Sequence, residues 1–190
     1  MRDKIKDTIL ESIQVKEEIM RTKISEILEI TDAVIQSLRK GGKIIFFGNG
    51  GSAADSQHLV AELIGRFKKD RTALGALALT TNTSTITSLS NDYGYEIIFA
   101  KQIEGLGSKN DLVIGISTSG KAKNVIAGIK QAKKMGIKTV ALTGSDGGEL
   151  AKLADISFIV PSNVTARIQE AHILVGHIIC ELVEQELSGD

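Results

Sequence analysis

The chain of 190 residues is poor in several things that small proteins often rely on. It has one cysteine, Cys180, which rules out an intramolecular disulfide and a cysteine-based zinc site. The apolar neighbours of that residue, "HIICELV", point to a buried, inert thiol. Tryptophan is absent, and the single proline, Pro161, closes the last apolar run. No apolar stretch approaches the roughly 18 residues of a membrane span, and "MRDKIKDTIL" has no apolar signal core, so a cytoplasmic protein is expected. Net charge is lacking too. Lys+Arg and Asp+Glu stand at 23 each, which leaves no global field to draw in nucleic acid or an anionic membrane. The local run Arg66, Lys68, Lys69 and Arg71 reads as a solvated loop edge.

What is present suits a globular α/β protein: 42% hydrophobic and 24% charged residues, with length enough for one sizeable core. Residues 1–40 contain neither Gly nor Pro, and Ile24, Ile27, Leu28, Ile30, Val34, Ile35 and Leu38 recur at helical steps, predicting one or two helices ended at Gly41-Gly42. From residue 41 the pattern changes. "KIIFFGNGG", "ALALTT", "DLVIGISTSG", "TVALTGSDGG" and "ISFIVPS" are short apolar runs bounded by Gly, Ser, Thr or Asn. Helical stretches separate them: 52–67, about 96–106, about 122–135, a short turn near Leu150, and about 165–187. Buried strands alternating with helices predict a five-stranded parallel sheet covered on both faces, with residues 1–40 as an N-terminal helical segment of one structural domain. In such sheets ligands sit beyond the carboxyl ends of the strands.

The loops at those ends carry the chemistry. In "GNGGSAAD", Gly48, Gly50 and Gly51 let a ligand approach the backbone, and Ser52 with Asp55 suggests a capping box opening a helix, which together make an anion site or only a tight turn. Gly48, Gly50 and Ala53 also fit a dinucleotide fingerprint, but the next strand ends "LALTTNT" without the acidic residue that would hold a ribose. In "GISTSGKAKN", Ser117, Thr118 and Ser119 precede Gly120 and a helix, a phosphate cradle without the P-loop lysine pattern. The run "TTNTSTITSLSNDYGY" reads as a polar loop, lining a site for a polyhydroxylated molecule or filling space. Phosphate donors beside such a loop suggest a phosphorylated sugar.

Two helices supply the remaining candidates. His58 and Glu62 stand one turn apart on one helix face, beside the small residues Ala54, Ala61 and Gly65, which suggests that something packs closely there. In "RIQEAHILVGHIICELVEQEL", Gln169 and His177 lie about 80° around the helix and about 12 Å along it, near enough for long side chains to converge. His172 points elsewhere and reads as structural. Imidazole and carboxylate together suit a divalent cation such as Zn²⁺, or general acid–base work, and the spacing does not choose between them.

Taken in order and spacing, "GNGGSAADSQH", "AELIGRF", "NDYG", "GISTSG", "LTG.DGG" and "ARIQEAHI...H" resemble the phosphoheptose isomerases of the sugar-isomerase (SIS) domain class. The resemblance runs from about residue 40 to the C-terminus, and the helical N-terminal stretch also fits. It implies an SIS-type, Rossmann-like sandwich and an aldose–ketose isomerase acting on sedoheptulose 7-phosphate, at the entry to the heptose of bacterial lipopolysaccharide. It also implies a homotetramer with sites between subunits and residues 1–40 serving oligomerisation. A zinc ion would be held by His58, Glu62, Gln169 and His177. Substrate residues carry over to Asn49, Gly50, Gly51, Ser52, Glu62, Asn91, Asp92, Ser117, Thr118, Ser119 and Gln169, with Glu62 and His177 catalytic. The sequence departs from the family at Ala122, where a phosphate-loop serine is common, and at Ala166, where some members carry an acid. A related branch that associates with the bacterial replication initiator resembles "ESIQ" and "AKQIEGLG", but it lacks equivalents of Glu62 and His177. A phosphosugar-sensing regulator would need a DNA-binding domain, for which 190 residues leave no room.

Overall fold

The structure is a computed structural model and describes residues 1–188. Five parallel strands form one sheet: β1 (Ile44–Gly48), β2 (Ala76–Ala78), β3 (Leu112–Ser117), β4 (Lys138–Gly144) and β5 (Ile156–Val160), in the order β2-β1-β3-β4-β5. Every residue of β1 and β3 is buried, so neither strand alternates and both read as continuous apolar runs. The chain leaves β1 toward one edge of the sheet and returns at β3 on its other side. The carboxyl ends of β1 and β3 therefore flank the switch point where such sheets bind ligands.

The predicted N-terminal helices are two, α1 (Arg2–Thr22) and α2 (Ile24–Arg39), broken at Lys23. Together with α3 (Gly51–Ile64) and α8 (Thr165–Leu187) they cover one face of the sheet. Ile30, Val34, Leu59, Leu63, Val175 and Val183 there share one core with Phe46, Ile114 and Leu142. The other face carries α4 (Thr83–Tyr93), α5 (Ile98–Leu106), α6 (Lys123–Lys134) and the short α7 (Gly148–Leu153). Its core gathers Phe47, Phe99, Ile103, Val125, Ile129 and Leu150.

Three expectations are corrected. The run 80–95 is not a loop: α4 occupies most of it. Asn82 caps the helix by accepting from the Thr85 N–H, and the Thr87 hydroxyl donates back to the Thr83 carbonyl. Ser and Thr are weak helix formers, so their hydroxyls hide the signal, and only the half-buried Ile86 and Leu89 pack inward. No capping box opens α3. The chain enters through Gly50 at φ 56°, no side chain caps the helix, and Ser52 is buried. Burial raises the Asp55 carboxyl above its ordinary range, against the nearby His58. Nor is the run 66–71 a uniformly solvated edge, because Arg71 is buried against Glu184.

Glu184 organises that segment. Its carboxylate accepts the backbone N–H groups of Phe67, Lys68 and Lys69 as well as Arg71 Nε. Burial opposes its ionisation, and these donors outweigh it, holding the carboxyl below the usual range. Arg71 in turn donates to the carbonyls of Glu62 and Leu63 at the free end of α3. Cys180 is buried, and its thiol is pushed up to about 12, mainly by burial, as an inert thiol requires.

His172 is also buried, with Nε2 2.9 Å from the Thr143 carbonyl oxygen, an acceptor that fixes the Nε2–H tautomer. Burial lowers its pKa to about 4, and the hydrogen bond to Thr143 opposes this. The unfolded chain then binds the extra proton between pH 6.5 and 4. The stability this neutral imidazole contributes is complete above 6.5 and is lost as pH falls toward 4. Denaturant unfolding from pH 7 to 4 should show a loss of about 3 kcal/mol attributable to His172, and His172→Gln should remove that part of the slope.

Candidate active site

The site has two parts, and α3 and α8 run through both. At the switch point a cleft of about 160 Å³ is lined by Asn49, Ser52, Ile116, Ser117, Thr118, Ser119, Ala122 and Gln169. The sequence-predicted phosphate cradle is thus assembled from the ends of β1 and β3, the first turn of α3 and the second turn of α8. Gly51 makes room for it, since a Cβ there would overlap the Gln169 amide. The Ala122 departure sits in the wall, so the cleft has one hydroxyl fewer than a serine would give. Ala166 is exposed, just before the buried Arg167.

Asn49 is held from two sides. Its Oδ1 accepts from Asn124 Nδ2 at 2.9 Å and from the Tyr95 hydroxyl at 3.0 Å, while its Nδ2 donates to Asn124 Oδ1 at 2.8 Å. Tyr95 follows Asn91 and Asp92, which are exposed at the end of α4 and bonded to each other, Asn91 Nδ2 donating to Asp92 Oδ1 at 2.8 Å. Within one chain these two predicted substrate residues line neither part of the site.

The second part lies further along the same two helices. His58 Nε2 is 3.0 Å from Glu62 Oε1 and 3.1 Å from His177 Nε2, and the Phe67 ring lies 5.5 Å from the His177 ring. The expected convergence of His58, Glu62 and His177 occurs inside a single chain. Gln169 stays with the cleft, against Gly51. Within the single chain the face is open: Ala54, Ala61 and Gly65 are exposed, and the His58 side chain is 48% exposed. Small side chains leave this face flat, and nothing among the described residues covers it.

One imidazole nitrogen carries one hydrogen or one lone pair, so His58 Nε2 cannot satisfy both neighbours. A cation between the three atoms does. They lie within 4.8 Å of one another, and ligands on a tetrahedral Zn²⁺ stand about 3.3 Å apart, close to the separations found. A carboxylate beside imidazoles also suits general acid–base work.

The comparisons establish the family. The SIS domain family pattern matches residues 9–144. The phosphoheptose isomerase of Sulfurimonas denitrificans is 50% identical, over 100% of this chain and 98% of that protein. That of Aquifex aeolicus is 50% identical over 97% of each. The solved phosphoheptose isomerase of Neisseria gonorrhoeae superposes with a TM-score of 0.92 at 40% identity, covering 97% of this chain and 98% of that one. The chain belongs to the phosphoheptose isomerases of the SIS-domain family. It is an aldose–ketose isomerase, and nothing in the comparisons favours the replication-associated branch.

Sequence reasoning passed over four residues that shape this isomerase: Asn124 and Tyr95 on Asn49, and Arg71 and Glu184 at the end of α3. Only contacts between distant segments give them roles, and no local spacing signals that. The fit at Gly51 generates a test. Its backbone is not left-handed, so Gly51→Ala should leave the fold intact but push the Gln169 amide out of the cleft. A displacement of that size should cut kcat/KM by about 100-fold, with the unfolding midpoint nearly unchanged.

Proposed function

We propose that this isomerase interconverts sedoheptulose 7-phosphate and D-glycero-D-manno-heptose 7-phosphate, the entry reaction to nucleotide-activated heptose and lipopolysaccharide. The observation that carries this reading is the separation of the two parts of the site. Helical rise puts His58 about 9 Å and Glu62 about 15 Å from Ser52 along α3, and His177 about 12 Å from Gln169 along α8. With about 1.3 Å of reach per bond, a seven-carbon chain carries its phosphate roughly 10 Å from its carbonyl. A phosphate in the Ser117–Ser119 cradle therefore delivers C1 and C2 to the acid–base trio. Relatives named phosphoheptose isomerases support the same substrate.

In the cradle, Ser117, Thr118 and Ser119, the Gly50 and Gly51 backbone and Ser52 take the phosphate, and this remote binding energy fixes the reacting end. Asn49, Gln169, Asn91 and Asp92 are assigned to the sugar hydroxyls. Glu62 removes a proton from C1 while His177 protonates O2, which gives an enediol. Return of a proton to C2 and loss of the O1 proton then leave an aldehyde at C1, so all atoms are conserved. His58, Glu62 and His177 would hold a divalent cation, zinc by the donor set, whereas Gln169, the fourth expected ligand, lies in the cleft against Gly51. Such an ion would polarise the carbonyl oxygen and stabilise the charge that develops on it.

A second copy of the chain is the proposed cover for the open face of α3, within a homotetramer. The exposed stripe Ile5, Ile9, Ile13, Met20, Ile24 and Leu28 along α1 and α2 supports residues 1–40 as its oligomerisation segment. No helix among the described residues is long and apolar enough to cross a membrane, which is consistent with the cytoplasmic location proposed here.

Purified protein incubated with sedoheptulose 7-phosphate should form the aldose product. Glu62→Gln and His177→Gln should each lower kcat by at least about 1000-fold while the assembly seen by light scattering persists. Near-parental turnover in either variant would remove the assigned roles. Chelation should lower activity and be reversed by Zn²⁺, and metal analysis of the His58→Ala protein should show loss of bound metal.

A further inference from the structure

We infer that Asn124 is a positioning residue for the isomerase reaction, setting the orientation of the Asn49 amide in the substrate cleft, with Tyr95 as its second anchor. This rests on reading the Ser117–Ser119 cleft as the phosphate end of the site.

An asparagine amide can sit in two orientations that differ only in which atom is oxygen, and its surroundings decide between them. Here the decision starts at a group that cannot reverse its role. The Val125 backbone N–H, in the first turn of α6, only donates, and it donates to Asn124 Oδ1 at 3.0 Å. That fixes the Asn124 amide, which is buried. Asn124 then meets Asn49 through two reciprocal bonds of 2.8 and 2.9 Å, so Asn49 Oδ1 must face Asn124 Nδ2 and Asn49 Nδ2 must face Asn124 Oδ1. The Tyr95 hydroxyl donates to the same Asn49 Oδ1 at 3.0 Å.

The chain of constraint runs from the α6 backbone through Asn124 to the cleft. Asn49 Oδ1 accepts two bonds, and one Nδ2 hydrogen has no partner among the described residues. That hydrogen is held ready for an oxygen of the phosphosugar, at the cost of an ordering step taken during folding. Asn49 also shapes the anion loop, because its carbonyl accepts the Ser52 N–H at 3.0 Å. Tyr95 links this loop to the segment that carries Asn91 and Asp92. Both anchors therefore act through Asn49 and need not touch substrate.

The test is a pair of double-mutant cycles: Asn124→Ala and Tyr95→Phe, each in the parent and in Asn49→Ala, with KM, kcat, inhibition by inorganic phosphate and unfolding midpoint measured. Each single variant should raise KM about three- to tenfold, the size of one lost hydrogen bond, with a smaller change in kcat. In the Asn49→Ala background neither should change KM further. Equal effects in both backgrounds, or lowered stability with unchanged KM, would overturn the proposal. Tyr95 is more than half exposed, so Tyr95→Phe carries the test alone if Asn124→Ala does not fold. Ser119→Ala separates the two levels of the argument. If it raises KM while the Asn124 and Tyr95 variants do not, positioning is wrong and the cleft assignment stands; if it too leaves KM unchanged, both fall.

Discussion

Where α8 crosses Leu59 of α3 it has a glycine, Gly176, and any Cβ there would run into the leucine side chain. The two backbones close to a distance at which side chains from both helices meet, and they keep one register as they run in parallel. Gly51 faces Gln169, His58 faces His177, and the Phe67 N–H reaches Glu184, pairs whose sequence separation stays between 117 and 119. The substrate cleft and the acid–base trio are thus two stations along a single helix pair. Their spacing is set by helical rise and not by the conformation of any loop.

What holds the pair at its far end differs in kind from the exposed charge pairs of the molecule. Lys101–Glu104 and Arg21–Glu18 lie on exposed helix surfaces, where solvent screening leaves such contacts little net effect. Arg71 and Glu184 are buried together, and both are fully supplied with partners: three backbone N–H groups on the carboxylate, and the carbonyls that end α3 on the guanidinium. Breaking a buried pair of this type costs about 3–5 kcal/mol, because the survivor is left charged and dry. The clamp therefore fixes the Glu62 backbone from below, and it seats Phe67 against the His177 ring. The Glu62 side chain thus extends from a main chain that is immobilised.

The fold was legible because its signals are local. Apolar runs bounded by Gly, Ser, Thr or Asn marked all five strands, and helical steps marked α1, α2 and α8. The candidate site was legible where its parts lie within one motif: "GNGGS", "STSG", and the one-turn step from His58 to Glu62. The pairing of His58 with His177 needed the resemblance to a family, since a histidine on an apolar helix is more often a core residue, as His172 is here. α4 was misread because a helix of threonines and serines has little propensity or amphipathic pattern to display, and its stability comes from Asn82 and a few inward residues. Asn124 and Arg71 were invisible for the converse reason: each is ordinary in its own segment, and its partners lie on elements far away in sequence.

The small residues around His58 carry the remaining step. In a lone helix, Ala54, Ala61 and Gly65 would imply a buried face, yet all three are exposed, and so is much of the His58 ring. An enediol intermediate needs protection from water, and electrostatic stabilisation of its oxyanion strengthens as water is excluded. At the cleft end Ser52 and Ser117 are buried and Asn49 is tied on two sides. The trio, with the His58 side chain 48% exposed, does not meet that need within one chain. Chemistry and surface shape therefore ask for the same thing at this face, a flat apposed partner, and the small side chains are what would let one approach the imidazole and the carboxylate closely.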